Sequence, residues 1–271
     1  ELCVSQDHSL YTLNPETLAM EKSTPIGSVG RMAPVALGQR GAPTLTSICY
    51  EPNGFALARA GQSRGVPIYR TRLDLDVAFG WFLGTTIGNG WVTQRPDGTH
   101  TIHLAAANEH DLVLECWTKF LTTVSNHKIS LWRNPHEFEG TQAYSVRATC
   151  GFSMLGAWLK DQIGSGAGKK RLPAWVLSTP LEFRRGLFTG LMDTDGTACW
   201  SKGTPSKRPQ FALAYSTTSR ELAEGIKVLA QSLDLHCSIT EGTYRGDKTC
   251  FVLNFSAPLV QAALPWLKVV S

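Results

Sequence analysis

Two apolar stretches of the chain carry glycines at helical spacing. The first, Phe79–Trp91, reads FGWFLGTTIGNGW, and the second, Arg185–Thr197, reads RGLFTGLMDTDGT. Gly186 and Gly190 are four residues apart and therefore lie on one face of a predicted helix. Glycine inside a helix costs about 1 kcal/mol relative to alanine, so we expect these positions to allow close approach of another backbone. Taken alone, the second stretch is also compatible with one buried helix that has a loose end and a solvated Asp.

The two stretches align with each other without a gap, which indicates an internal repeat. The downstream patterns repeat as well, since each stretch is followed by an amphipathic helix, strands and a third helix. Each half is therefore predicted to run helix, strands, helix, strands, helix. The aligned pairs are Gly80 and Gly186, Phe82 and Phe188, Gly84 and Gly190, Asn89 and Asp195, and Gly90 and Gly196. The predicted second helices lie in Asn108–Leu121 and Thr218–Leu233.

The second stretch ends in Asp-Thr-Asp-Gly. We predict that Gly196 ends its helix with a left-handed cap. Close contact between the two glycine-bearing helices would bring their C-terminal ends together, and these ends carry partial negative charge. Carboxylates at this point would add to that charge and favour a hard divalent cation, which prefers oxygen ligands.

These paired elements resemble the LAGLIDADG homing endonucleases, in the single-chain form with two motifs that is often inserted in inteins. LFTGLMDTDG is a strong match, WFLGTTIGNG is a good match except at Asn89, and Lys169–Gly196 resembles the run that leads into the family's second motif. The resemblance covers about residue 74 to the C-terminus. It implies an α+β fold with two pseudo-symmetric αββαββα repeats that form a β-saddle over DNA. The implied divisions are a β-rich region in residues 1–73, a first repeat in 74–170 and a second repeat in 171–271.

The resemblance implies a site-specific endonuclease that binds a long double-stranded DNA target as a monomer and cuts both strands. Mg²⁺, or another divalent cation such as Ca²⁺ or Mn²⁺, would be the cofactor. By motif position, Asp195 is the metal-binding acid of the second half, and Asn89 takes the place of the first acid. The carbonyl groups of Gly88 and Thr194 are further candidate ligands. Lys170 matches the active-site lysine of the first half, with an ordinary solvated basic loop as the alternative.

Asn89 departs from the family pattern at a functional position. An asparagine offers a neutral oxygen instead of a carboxylate, so a cation at this position loses one formal counter-charge. The change is compatible with a deliberate substitution, with decay to a binding protein, or with nicking of one strand by the remaining acid. We expect poor or no double-strand cleavage. The main alternative function is a non-cleaving nucleic-acid binder, such as an RNA maturase or a DNA-binding regulator.

The chain carries a net charge of +4 and has a pI near 8.7. This charge permits nucleic-acid binding without identifying it. For each basic candidate, a phosphate contact or a solvated charge is the alternative to base recognition. The candidate DNA-contacting residues in predicted strands and hairpins are Gln94, Arg95, Lys128, Arg133, Arg147, Lys202, Lys207, Arg208, Arg245 and Lys248.

The front of the chain contains VSQDHSLY, in which Ser5 and His8 resemble the TxxH block of intein splicing domains. A strand-end histidine beside a hydroxyl is the alternative. Glu1 stands where an intein needs a Cys or Ser nucleophile, and the chain stops at LKVVS instead of at His-Asn. We therefore expect a chain trimmed at both ends that does not splice itself, which weakens a self-processing function.

Composition narrows the classes of protein to which this chain can belong. A chain with 42% hydrophobic and 18% charged residues is typical of a globular protein. Seven cysteines without a CxxC pair favour reduced thiols over a disulfide framework. We find no signal peptide and no apolar run long enough to span a bilayer. We therefore expect no membrane partner and a cytoplasmic location, or a nuclear or organellar one in a eukaryote.

Overall fold

The structure is a computed structural model, and it describes residues 10–13, 20–24, 42–50, 70–107, 111–138, 141–201, 210–244 and 248–267. The chain divides into two compact units, Glu1–Leu37 and Gly38–Ser271. Within the first unit, β1 (Leu10–Leu13) pairs with β2 (Met20–Ser23) in an antiparallel arrangement.

The second unit begins with another antiparallel pair, β3 (Ser47–Cys49) and β4 (Arg72–Asp74). Tyr50, directly after β3, is 1% exposed. Its ring packs edge-on against Phe152, with 5.8 Å between the ring centroids. Its hydroxyl donates a hydrogen bond to the backbone carbonyl of Arg70. The described part of the front region therefore contains short β-strands, as predicted. Its end packs against later residues through the contact of Tyr50 with Phe152.

From α1 onward, one order of elements occurs twice, and it is the αββαββα order that the sequence predicts. The first repeat consists of α1 (Val77–Asn89), β5 (Gly90–Gln94), β6 (His100–Ala106), α2 (Leu112–Val124), β7 (Ile129–Phe138), β8 (Thr141–Cys150) and α3 (Ser153–Ile163). The second consists of α4 (Leu181–Asp195), β9 (Gly196–Ser201), β10 (Gln210–Thr217), α5 (Arg220–Gln231), β11 (Cys237–Tyr244), β12 (Lys248–Phe255) and α6 (Ala257–Ala263).

Each repeat contains a four-stranded antiparallel sheet. The strand orders are β5–β6–β8–β7 and β9–β10–β12–β11, so equivalent strands occupy equivalent places. Buried side chains such as Leu104 and Ala148 face the helices. Residues that alternate with them, such as Trp91 and Arg147, belong to the opposite, outer face, because successive side chains of a strand point to opposite sides.

Several helices begin at the polar residues that the sequence places before them. The side chain of Asp76 accepts a hydrogen bond from the backbone N–H of Phe79 at 2.8 Å. Ser219 accepts one from the backbone N–H of Leu222 at 3.2 Å. These N-caps satisfy backbone donors that have no partner within the helix, which fixes the starting points of α1 and α5.

Helices α1 and α4 pack backbone against backbone. A Cβ atom at any of four glycines would collide with a carbonyl oxygen of the other helix, so only glycine fits. Each of these oxygens belongs to the residue three positions before a glycine of the partner helix. The interface is therefore unchanged when the helices are exchanged, as in an isologous two-fold contact. The pairs and Cβ–O distances are Gly80 with Phe183 (2.2 Å), Gly84 with Leu187 (2.3 Å), Gly186 with Val77 (2.2 Å) and Gly190 with Trp81 (2.3 Å).

The left-handed cap predicted at Gly196 is wrong. Gly196 has φ −79° and ψ 154°, an extended conformation, because the chain passes directly from α4 into β9. Glycine is needed here for a different reason. A Cβ atom at Gly196 would lie 2.3 Å from the carbonyl oxygen of Met192, so the sharp exit from the helix leaves no room for a side chain.

The described residues contain no disulfide and no helix that is long and apolar enough to cross a bilayer. Free thiols occur at several of the described cysteines. They belong to Cys49, Cys116, Cys150, Cys199, Cys237 and Cys250.

Candidate nucleic-acid and metal site

The C-terminal ends of the two motif helices meet. Helix α1 ends at Asn89 and α4 ends at Asp195. The residues that precede them are in contact, since a Cβ atom on Gly88 would lie 2.6 Å from the Cβ atom of Thr194. Asn89 and Asp195 are both exposed. Because of the glycine contacts, the two motif ends lie next to each other at one accessible place.

Lys170 reaches this place from the loop that precedes α4. Its Nζ donates a hydrogen bond to the carbonyl oxygen of Gly88, and its own carbonyl accepts a hydrogen bond from the hydroxyl of Ser219 at 2.6 Å. The last carbonyls of a helix lack helical partners and lie at its negative end, so this position suits a cation. Burial lowers the pKa of Lys170, and attraction to Asp195 opposes that shift.

Asp195 contributes a carboxylate at the last position of α4, where Asn89 contributes an amide at the last position of α1. Partial burial raises the pKa of its carboxyl group, while the positive charge of Lys170 and a hydrogen bond from Tyr215 act in the opposite direction. Asp195 is exposed as a whole residue, whereas its carboxyl group is partly buried. The hydroxyl of Tyr215 lies 3.5 Å from Oδ2 of Asp195, at the outer limit for a hydrogen bond.

The two motif ends differ beyond the acid itself. Tyr215 lies opposite Gly196 in the β10–β9 pair, and Leu104 lies opposite Gly90 in the β6–β5 pair. Tyr215 and Leu104 therefore occupy equivalent positions, and both are 0% exposed. A hydroxyl donor accompanies the end that has the carboxylate, whereas an apolar side chain accompanies the end that has Asn89. Sequence analysis missed Tyr215, because its role depends on strand register.

A second acid of the motif has a different environment. Asp193 is 7% exposed, and its Oδ2 accepts a hydrogen bond from the indole N–H of Trp81 at 2.7 Å. This bond joins α4 to α1 close to the motif ends. Sequence analysis missed it, because a pattern of residues does not reveal how two helices are rotated about their axes.

The donor atoms at the motif ends are compatible with one hard cation. Asp195 offers a carboxylate, Asn89 offers an amide oxygen, and Gly88 and Thr194 offer backbone carbonyls. Such oxygen donors suit Mg²⁺ or Ca²⁺. Within the described ranges, no group of three or more His, Cys, Asp or Glu side chains could hold a metal. A cation here would therefore have one full counter-charge, and it would compete with Lys170 for the carbonyl of Gly88.

The predicted DNA-contacting residues fall on different sides of the first sheet. Arg147 is on the outer face, opposite Trp132 of β7. Gln94 shares the helix side of the sheet with Val92, and its Oε1 accepts a hydrogen bond from Lys160 at 2.9 Å. Arg133 lies opposite the buried Val146 and therefore also belongs to the helix side. Of these three residues, the register favours Arg147 for contact with a ligand on the outer face.

The other predicted contacts lie at loop ends or are not described. Arg95 lies in the β5–β6 turn, where its carbonyl accepts a hydrogen bond from the N–H of Gly98. Lys128 directly precedes β7. Lys248 begins β12, but its side chain is not described. The residues that lie outside the described ranges are Ser5, His8, Lys202, Lys207, Arg208 and Arg245.

The outer face of the first sheet also carries an aromatic cluster that sequence analysis missed. His103 stacks on Trp91 with ring centroids 4.9 Å apart, and its Nε2 lies 2.8 Å from the hydroxyl of Thr93. Burial and the charge of Arg147 lower the pKa of His103. Among the described residues, neither Nδ1 of His103 nor Nε of Arg147 has a hydrogen-bond partner, although both atoms are buried. Trp132, opposite Arg147, is 55% exposed.

Two curated proteins resemble part of this chain. An iron-sulfur cluster assembly SufBD family protein of Mycobacterium leprae is 38% identical over 92 residues, which cover 32% of this chain and 10% of that protein. The ATP-dependent DNA helicase Hel308 of Thermococcus kodakarensis is 33% identical over 105 residues, which cover 36% of this chain and 9% of that protein. The chain thus spans about a tenth of the length of these relatives.

A solved structure and a protein family also resemble parts of this chain. The crystal structure of I-DmoI in complex with DNA and Mn is similar to this structure with a TM-score of 0.46 and 12% identity, over 72% of this chain and 98% of that chain. Residues 182–258, which run from α4 into α6, match the LAGLIDADG-like domain.

Proposed function

We propose that this chain is a site-specific DNA-binding protein of the homing endonuclease type, with impaired double-strand cleavage because Asn89 replaces a carboxylate. The observation that carries the proposal is the reciprocal contact between α1 and α4, which brings Asn89 and Asp195 to one exposed place beside Lys170. The match of residues 182–258 to the LAGLIDADG-like domain supports the same function.

The chemistry proposed for this site is phosphodiester hydrolysis. A divalent cation, when bound, would supply charge stabilisation at the phosphate and a more acidic water. Asp195 and the neighbouring carbonyl oxygens would hold that cation. Lys170 would stabilise negative charge that develops on the phosphate oxygens. Tyr215 would orient the carboxylate of Asp195 through its hydroxyl.

The outer faces of the two sheets are the proposed surface for duplex DNA. Phosphate contacts position a protein on DNA, whereas side chains that reach base edges specify sequence. On the first sheet, Arg147 offers a cation and Trp132 offers an exposed aromatic ring. Two sheets in one chain would cover a long target without a second subunit, so we propose a monomer.

We further propose that the repeats were inserted in a host protein, as in inteins. The two curated relatives have unrelated names, yet each shares about a third of this chain over about a tenth of its own length. An element that moves between hosts would produce that pattern. On this interpretation, residues 1–73 belong to a splicing domain, 74–170 to the first repeat and 171–271 to the second.

A non-cleaving nucleic-acid binder on the same scaffold is the second candidate function. Asn89 favours it, because the first motif end then contributes no carboxylate to a metal site. An RNA maturase and a DNA-binding regulator both fit this description. The presence of Asp195 and Lys170 at the shared end favours the nuclease instead.

Selection from random sequence separates these functions. The protein would be incubated with a random duplex library in Ca²⁺, and the bound molecules would be amplified and sequenced over several rounds. We expect one target of about twenty base pairs, which is roughly two turns of duplex. Failure to enrich any duplex sequence would contradict the proposal, and preferential binding of structured RNA in a parallel selection would support the maturase.

A further inference from the structure

A cavity of about 480 Å³ lies between α1, α2 and α4, and Trp266, which follows α6, also lines it. Its volume falls within the range of about 300–1,000 Å³ that is usual for small-molecule sites. The residues of the candidate nuclease site, Asn89, Lys170 and Asp195, do not line this cavity. Whatever the cavity binds is therefore distinct from the metal and the phosphate considered above.

The walls of the cavity are largely aromatic. Trp81 of α1, Phe120 of α2 and Trp266 line it, and each of these side chains is only half-buried. Aromatic rings bury a large apolar area and prefer offset-stacked or edge-to-face contact with another ring. The cavity is therefore suited to a ligand with a flat aromatic body.

Arg185 places a cationic donor at the edge of these aromatic walls. Its guanidinium group lies over the ring of Trp266, 5.3 Å from the ring centroid. Its Nη1 donates a hydrogen bond to Glu182 at 2.7 Å, whereas its Nε is buried and has no partner among the described residues. A guanidinium group has five N–H donors, so it can bind a second acceptor beside Glu182.

The charges that line the cavity favour an anion. Two cations, Lys119 and Arg185, and one carboxylate, Glu182, belong to the lining, which leaves one positive charge in excess. Burial raises the pKa of the Cys116 thiol, so this lining residue adds no negative charge at neutral pH. Hydrogen bonds from Lys or Arg to a carboxylate are charge-assisted and stronger than those between neutral groups.

We propose that this cavity binds a small aromatic carboxylate. The ring system of the ligand lies against Trp81, Phe120 and Trp266. Its carboxylate accepts hydrogen bonds from Arg185 and Lys119. This site does not depend on the proposed nuclease function, because it shares no residue with the motif ends.

The first test compares two probes of opposite charge on the full chain. Isothermal titration calorimetry would measure binding of 2-naphthylacetate and of 2-naphthylmethylamine, which share one ring system. We expect the carboxylate to bind saturably at one site and the amine to bind at least about tenfold more weakly, because it cannot accept charge-assisted hydrogen bonds. Equal affinities, or no saturable binding of the carboxylate, would overturn the inference.

Cys116 reports whether the probe binds in this cavity. It is exposed and lines the cavity, so a bound ligand should shield it from iodoacetamide. At a 2-naphthylacetate concentration about ten times its Kd, mass action predicts alkylation of Cys116 about tenfold slower. Cys49 is also exposed but lies on β3, and its alkylation rate should not change. Peptide mass analysis measures both rates, and an unchanged rate at Cys116 would contradict binding in this cavity.

Two substitutions in the Arg185–Glu182 pair should change the affinity in opposite directions. Arg185→Gln should weaken binding of 2-naphthylacetate by about tenfold or more, the effect of losing a hydrogen bond from a charged group. Glu182→Gln removes the competing carboxylate and should strengthen binding, a gain that misfolding cannot produce. The matched control is Arg220→Gln, because Arg220 makes a similar exposed pair with Glu224 on α5, and it should bind like the unaltered protein.

The variants also define what would contradict the assignment of the anion-binding residues. An Arg185→Gln variant that binds 2-naphthylacetate as tightly as the unaltered protein would overturn it. A Glu182→Gln variant with weakened binding would overturn it as well. Loss of affinity in Arg220→Gln equal to that in Arg185→Gln would show a general effect of charge in place of a contact in the cavity.

Discussion

The indole N–H of Trp81 in α1 donates a hydrogen bond to Oδ2 of Asp193 in α4, with a donor–acceptor distance of 2.7 Å. The bond crosses the interface of the two motif helices, and Asp193 lies two residues before Asp195. Asp193 is buried, and a buried carboxylate is stable only when hydrogen-bonded or paired. The bond therefore helps to fix the rotation of α4 against α1, and with it the direction of the motif end.

Trp81→Phe should destabilise the protein by about 1–3 kcal/mol, because it removes a donor from a buried charged group while keeping an aromatic ring. The free energy of unfolding measured in urea would report this change. Trp132→Phe is the matched control, since Trp132 is 55% exposed, and it should change that free energy by less than about 0.5 kcal/mol. Equal effects of the two substitutions would contradict a structural role for the Trp81–Asp193 bond.

Gly84→Ala should be among the most damaging small substitutions in the chain. Its Cβ atom would lie 2.3 Å from the carbonyl oxygen of Leu187, so the helices must separate, and we expect a loss of at least about 3 kcal/mol or failure to fold. Gly242→Ala has no atom within 4 Å of the new Cβ and should be tolerated. Thermal unfolding of both variants checks this, and a Gly84→Ala variant as stable as Gly242→Ala would refute the close helix contact.

Arg184 lies in the first turn of α4 and contacts the residue that follows α5. It is 3% exposed, and its Nη1 donates to the carbonyl oxygen of Ser232 at 3.1 Å. Burial lowers the pKa of its guanidinium group. Arg184→Met should cost about 1.5–3 kcal/mol, the range for a hydrogen bond from a charged group.

The control for Arg184 is Arg220→Met, which removes an exposed pair with Glu224 at 3.0 Å. Such pairs within a helix contribute about 0.3–0.5 kcal/mol. In chemical unfolding, Arg184→Met should therefore have a clearly lower free energy of unfolding than Arg220→Met. The reverse order would show that the buried arginine does not support α5.

Asp195→Asn should raise the stability of the protein at neutral pH. Partial burial raises the pKa of Asp195, so the folded state keeps this proton to higher pH than the unfolded chain does. The free energy of unfolding then falls as the pH rises through that window. Asp195→Asn has no carboxylate to ionise, so the variant avoids this decrease in the free energy of unfolding. Such a gain is expected where a functional group reduces stability.

The free energy of unfolding of Asp195→Asn should be compared with that of the unaltered protein at pH 7 and at decreasing pH. We expect the advantage to shrink as the pH approaches the ordinary titration range of a carboxyl group. Asp234→Asn makes the same substitution in the turn after α5 and is the control. An advantage that grows as the pH falls would contradict the sign of the pKa shift.

The sequence predicted the helix pair and the repeat order because both follow from local rules. Glycines at helical spacing require close contact, as at Gly84 and Gly190, and N-cap residues such as Ser219 mark helix starts. The conformation of Gly196 was predicted wrongly, because a left-handed cap is the commonest reason for glycine at a helix end, whereas here the chain enters a strand at once.

The groups around the motif acid could not be predicted in the same way. Tyr215 reaches Asp195 through the register of β9 and β10, and Trp81 reaches Asp193 through the relative rotation of two helices. Both relationships join residues that are distant in sequence and depend on tertiary packing. Gln94 illustrates the same difficulty, since a shift of one residue along a strand exchanges the outer face for the helix side.

A cross-link between Gly88→Cys and Thr194→Cys tests whether α1 and α4 end side by side. A Cβ atom on Gly88 would lie 2.6 Å from that of Thr194, so the two positions must separate by about 1 Å to reach the range of about 3.5–4.5 Å that a disulfide requires. We predict rapid formation of an intramolecular disulfide in the double variant under mild oxidation, detected by peptide mass analysis, and no such peptide in either single variant. A folded double variant whose two cysteines remain unlinked, or that links only to native cysteines, would show that α1 and α4 do not end side by side.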